Sequence, residues 1–157
     1  MSSFSGKPTT LVDQTIENNG FWPDLSVSEF QKSYRLPAEY LVDLLVTHLV
    51  MAMAEVNTDL ARVEDTLRAA GVSNLQAMAG VSTPAGWAYS FKLEQYKRAV
   101  YCRAKSTALT DFPTVVRRDS AENTGKEAPE RGETFLAFSQ QAVRALQGRS
   151  RISVALL

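Results

Sequence analysis

Apolar residues recur at spacings of four and three through one stretch of the chain: Leu41, Leu45, Leu49, Ala52, Val56, Leu60, Val63 and Leu67. That spacing keeps them on one stripe of an α-helix, and it predicts a single long helix from Ala38 to Ala70. Pro37 suits its first turn and Gly71 suits the position just past its end. At ~1.5 Å per residue such a rod reaches ~50 Å, more than a compact domain of this size needs. It is therefore expected to pack against something outside itself. Val42, Leu44, Val46, Val50, Met51 and Met53 lie off the stripe, so the first half is expected inside a bundle. Glu55, Asp59, Arg62, Glu64, Asp65 and Arg68 make the second half polar, and it is expected to project with one apolar edge.

The rest of the pattern is also helical. Ser26-x-x-Glu29 has the form of a capping box and opens a short helix to about Tyr34, with Val27 and Phe30 facing inward. Phe21, Trp22 and Pro23 precede it as an apolar plug. Residues 71–83 read as a loop with one helical turn around Leu75 and Met78. Thr83-Pro84 starts a third helix, from about Ala85 to Leu109, with Tyr89, Leu93, Tyr96, Val100 and Ala104 on one face. Phe112-Pro113 stops it, and the polar stretch 114–132 reads as a surface loop. A fourth helix, from Glu127 or Arg131 to Gln147, has its stripe at Phe135, Phe138, Ala142 and Leu146 and ends at Gly148.

After Gly148 the period changes from helical to alternating: Ile152, Val154 and Leu156 against Ser153 and Ala155. An apolar extended segment of this kind, with no hairpin partner in sequence, is expected to pair with another chain. Residues 1–20 show no sustained period. The expected organisation is thus a flexible arm (1–20), a helical domain (21–148) and an extended tail (149–157). The fold class is all-α, a bundle of about four helices with one very long helix.

A length of 157 residues fits one domain, and 45% hydrophobic residues suffice for its core. The single cysteine, Cys102, allows no internal disulfide. The N-terminal ten residues lack the apolar run of a secretory signal. Leu41 to Ala54 is too short and too interrupted for a membrane span, so no membrane partner is expected. Net charge is zero but uneven. Residues 1–66 hold four Lys+Arg and ten Asp+Glu, or −6, and residues 67–157 hold thirteen and seven, or +6. Head-to-tail association of an acidic part with a basic part would use that asymmetry.

Chemistry-bearing residues are sparse. His48 is the only histidine and has no companions at metal-ligand spacing, so it reads as a hydrogen-bonded core or interface residue. Cys102 has no neighbouring base, which leaves it a structural thiol. The pairs Glu55/Asp59 and Glu64/Asp65 read as solvated helix surface. No phosphate loop, GxSxG or HExxH is present, and neither catalysis nor a cofactor is expected. Lys97, Arg98, Arg103, Lys105, Arg117 and Arg118 face one acid, Asp111, within residues 97–118. They leave an alternative open, a helical DNA-binding or regulatory protein using the basic second half.

Several pieces taken in order resemble a known family: Gly20-Phe-Trp-Pro-Asp24; Met53-Ala-Glu55 with Asn57 and Leu60; Tyr96-Lys-Arg98-Ala99-Val100; Arg118-Asp119; Arg144 with Leu146-Gln-Gly148-Arg149; and the closing apolar tail. Over about residues 20 to 157 the chain resembles the head completion proteins of tailed phages, the gpL-like head–tail adaptors. The resemblance implies a virion protein of the head–tail junction, assembled in the host cytoplasm. It implies a homo-oligomeric ring, expected to be a dodecamer matching the portal, that extends the DNA channel and offers a surface to the tail. Its implied partners are further copies of itself, the portal protein, a downstream neck or tail-terminator protein and, passively, the channel DNA. Arg149, Arg151, Ile152, Val154, Leu156 and Leu157 are then candidates for the portal-binding tail. Arg117, Arg118, Lys126 and Arg144 are candidates for channel or intersubunit contacts.

Overall fold

The computed structural model describes residues 11, 13–36, 40–111 and 132–150. Among them the chain is all-α apart from one small antiparallel pair, β1 (Thr15–Ile16) with β2 (Leu25–Ser26), in the register Thr15↔Ser26 and Ile16↔Leu25. The helices are α1 (Val27–Ser33), α2 (Val42–Asp59), α3 (Ala61–Ala69), α4 (Leu75–Ala79), α5 (Pro84–Asp111) and α6 (Gly132–Leu146).

The starts of α1 and α5 follow the expected caps, whereas α2 begins at Val42 rather than Ala38, after a Leu41 N-cap that has no side-chain bond to offer. The Ser26 hydroxyl accepts the Glu29 N–H at 3.2 Å and opens α1. The other half of the capping box is replaced: Tyr101 Oη accepts the Ser26 N–H at 3.3 Å, and its own hydroxyl donates to Glu29 Oε2 at 3.0 Å. Thr83 Oγ1 accepts the Gly86 N–H at 3.1 Å at the start of α5. The one helical turn expected near Leu75 and Met78 is α4, capped by Asn74.

The long rod from Ala38 to Ala70 is the main correction. It breaks at Leu60, and α3 turns away from α2 by 61°. No proline or glycine marks the site. The Thr58 hydroxyl instead bonds back to the Ala54 carbonyl at 2.9 Å, a contact that bends helices. Leu60 fills the corner, fully buried. The bend lets Val63 and Leu67 pack against the core, which a straight rod would carry past it. α3 folds over the N-terminal plug, with Arg68 4.8 Å above the Phe21 ring and Asn19 Nδ2 donating to Glu64 at 2.9 Å. The longest helix is α5, about 42 Å at the standard rise.

The core is centred on that plug. Phe21, Trp22, Leu25, Val27 and Phe30 are buried together with Leu45, Leu49, Val56 and Leu60 of the α2 side and Tyr96 and Val100 of α5. Trp22 stacks on Tyr96 with ring centroids 4.6 Å apart and planes 5° from parallel. The end of the segment expected to be a flexible arm belongs to this body: Ile16 is buried in the β1–β2 pair and Asn18 is bonded into the core. α5 runs antiparallel to both α2 and α6: Tyr96 meets Asn57 and Asp111 meets His48, while Ser139 meets Ala99. At the far end of α6 the backbones close tightly, and a Cβ on Gly132 would lie 3.0 Å from the Ser106 carbonyl.

Candidate functional site

Helix α6 delivers the chain to its C-terminal segment through a tight turn. The Arg149 N–H bonds the Arg144 carbonyl at 2.9 Å and the Gly148 N–H bonds that of Ala145 at 3.1 Å. This double closure requires a left-handed residue, and Gly148 supplies it at φ +70°. Arg144 then holds the Ser150 carbonyl with both Nε (3.1 Å) and Nη2 (2.9 Å). In the free chain Arg144 therefore fastens the first residues of the tail to the end of α6. Arg149 is exposed beside them. Arg117, Arg118, Lys126, Arg151, Ile152, Val154, Leu156 and Leu157 lie outside the described residues.

A groove of about 420 Å³ opens at this exit, between α3, the first half of α5 and the end of α6. Val63, Leu67 and Leu146 form its apolar part, and Arg62, Lys92 and Arg149 its cations. Its single carboxylate, Asp59, is held by Arg103 Nη2 at 2.8 Å.

Most basic residues of the 97–111 segment point inward. Arg103 joins three helices: Asp59 and Glu55 (3.4 Å) on one side and Ser139 Oγ (3.2 Å) on the other. Lys97 binds both Glu29 oxygens at 3.0 and 3.1 Å. Lys105 is buried, donates to the Tyr34 carbonyl at 2.8 Å and lies 4.3 Å over the Phe135 ring. Arg98 is exposed and covers the Phe138 ring at 5.3 Å. The basic stretch is thus mainly wiring between helices, which weakens its reading as a DNA-binding surface.

The bare apolar residues were not singled out as a site by their sequence. Leu41 (69% exposed), Leu44 and Met51 (59%) line one outward face of α2, so its first half is not enclosed as expected. Trp87 (83%) and Phe91 (60%) stand one turn apart near the start of α5. Their signal was present: both lie off the Tyr89–Leu93–Tyr96 stripe, on a face that the core does not use.

Among the described residues the hydroxyls of Tyr34, Tyr96 and Tyr101, the thiol of Cys102 and the imidazole of His48 are engaged within the fold. Burial pushes the Tyr34, Tyr96 and Tyr101 hydroxyls well above their ordinary range, the Tyr101 shift being reinforced by the Glu29 charge. Burial likewise raises Cys102, keeping it a thiol, and its Sγ donates to Tyr34 Oη at 3.8 Å. His48 Nε2 lies 3.4 Å from Asp111 Oδ2. Among the described residues no group of three His, Cys, Asp or Glu side chains could hold a metal ion, and no single helix is long and apolar enough to cross a membrane.

The chain is 34% identical over 154 residues to the "probable head completion/stabilization protein" of Haemophilus phage HP1 (strain HP1c1), covering 98% of this chain and 99% of that protein. No solved structure matches it. Residues 16–157 match the family described as phage head completion protein (GPL). On that match and that relative, the chain belongs to the phage head completion proteins and is a structural component of the virion.

Proposed function

We propose that this protein is the head–tail adaptor of its phage: copies form a ring on the portal, lengthen the DNA channel and present the surface on which the tail docks. The observation that carries the reading is the large apolar side chains left bare on two separate surfaces of a chain whose core is already full. The α2 face lies at the Asp111 end of α5, and Trp87 and Phe91 lie at its other end. About 36 Å of helix separates Trp87 from Asp111. An adaptor must meet different neighbours on different sides, and such aromatic anchors are what a stable interface uses.

In this reading the segment after Ser150 reaches the portal, released from a turn that Arg144 and Gly148 hold at the rim of the body. Trp87 and Phe91 meet the downstream neck component. Channel DNA is touched passively, because Lys97, Arg103 and Lys105 are engaged within the fold.

Size-exclusion chromatography with light scattering, run alone and with portal-bearing heads, tests this. The protein is expected to co-elute with the heads as a ring-sized addition. The double variant W87S/F91S should still attach to heads but fail to recruit tails. A chain that never associates with heads would overturn the proposal.

A further inference from the structure

We infer that the groove beside Lys92 receives the apolar face of α2 from a second copy of this chain, so that neighbours join head to tail. This inference rests on the ring reading above and names its contact. The groove is apolar at Val63, Leu67 and Leu146, and its cations are unbalanced: Arg62, Lys92 and Arg149 make no ion pair among the described residues, while Asp59 is neutralised by Arg103. It therefore fits an apolar surface edged with acids.

Among the described residues the outward face of α2 is such a surface. Leu44 and Met51 stand bare on α2 beside the exposed Asp43, with Glu55 held by Arg103 and Asp111 facing His48 at the same surface. The cation that belongs to that face, Arg103, is only 11% exposed in its side chain and faces inward to its partners. The two surfaces thus match in both apolar character and charge sign. One molecule cannot join its own pair. Asp111 marks the level of the α2 face and Lys92 that of the groove, and about 28 Å of the rigid α5 lies between them. A contact between unlike surfaces on successive copies propagates, and it closes into a ring when the rotation permits.

Cysteine cross-linking reads this contact directly. Met51→Cys and Thr66→Cys are made in the full chain, where the buried Cys102 serves as the internal control. Neither single variant should form a covalent dimer alone. An equal mixture should give the heterodimer, and a chain with both cysteines should give a ladder of oligomers. Lys92→Glu on the Thr66→Cys chain should lower the heterodimer yield at least tenfold, and Asp43→Lys on its partner should restore it. Three results would overturn the inference: self-dimers of a single variant, a mixture that stays unlinked both free and on heads, or linking only after residues 151–157 are deleted. The last would mean that the chain's own tail fills the groove. Head attachment is measured on the same samples: attachment without cross-links refutes this contact alone, whereas loss of attachment by the unsubstituted chain refutes the adaptor reading.

Discussion

Tyr96 Oη donates to Asn57 Oδ1 at 2.6 Å, and this bond closes a ring of three. Asn57 Nδ2 donates to Asn18 Oδ1 at 2.9 Å, and Asn18 Nδ2 donates back to Tyr96 Oη at 2.8 Å. The N-terminal segment, α2 and α5 are thereby tied at one point, directly beside the Trp22–Tyr96 stack. Tyr96→Phe keeps the stack but leaves two amide groups short of a partner. The expected loss is about 1–3 kcal/mol, read as a lower denaturant midpoint at unchanged slope. N18A and N57A should each destabilise, and the double variant should lose less than the sum of the two.

Gly86 is where α5 passes the preceding turn. A Cβ there would sit 1.8 Å from the Val81 carbonyl oxygen, a position no side chain can share. Gly86→Ala should therefore destabilise by about 1–3 kcal/mol despite the better helix propensity of alanine. Gly80→Ala meets nothing closer than 3.6 Å and should be tolerated. Equal midpoints for the two variants would refute the close approach.

Arg35 closes α1 with φ +50°, the one non-glycine residue in the left-handed region among the described residues. Its N–H and that of Leu36 cap the Lys32 and Gln31 carbonyls at 3.5 and 3.0 Å. A β-carbon in this conformation costs roughly 1–2 kcal/mol, while glycine loses some of that gain through the flexibility of the unfolded chain. Arg35→Gly should raise stability by about 0.5–1 kcal/mol in thermal or denaturant unfolding.

Alkali should unfold the protein through its buried phenols. Burial holds the Tyr34, Tyr96 and Tyr101 pKa values above the ordinary 10.0, so above that pH the folded state binds more protons than the unfolded state. Their contribution is complete below pH 10 and is lost as pH rises through the folded values. The melting temperature should begin to fall slightly above about pH 8.5, where the thiol of Cys102 ionises in the unfolded chain, and more steeply beyond about pH 9.5, since the unfolded tyrosine titrates near 10. Tyrosinate absorbance from these three residues should appear together with the loss of helical signal. Full tyrosine ionisation in a chain that is still helical would contradict this.

Much of the fold was legible because its local signals agree. Ser26, Thr83 and Gly148 act as the caps their residue types suggest, and Val27, Phe30, Tyr96 and Leu146 are buried where the helical period puts them. The break at Leu60 was not legible. Asn57, Thr58 and Asp59 are weak helix formers but no proline or glycine stops the pattern there, and the bend also answers a tertiary demand, the covering of the Phe21–Trp22 plug by Val63 and Leu67. The internal use of Lys97, Arg103 and Lys105 was hidden for the same reason: a basic run shows charge but not the carboxylates and carbonyls that the fold brings to it. The bare face of α2 was hidden at Leu44 and Met51 because an apolar residue off the main stripe can face either a core or a neighbour, and at Leu41, expected on the stripe, because the helix starts only after it.

The account turns on the segment after Ser150 being the link to the head, and its removal tests that most directly. A chain ending at Ser150 keeps α1 to α6 and the Arg144 clamp. Its helical signal and unfolding midpoint should match those of the full chain, while its association with portal-bearing heads, measured by co-sedimentation, should fall at least tenfold. Attachment as strong as that of the full chain would contradict the account.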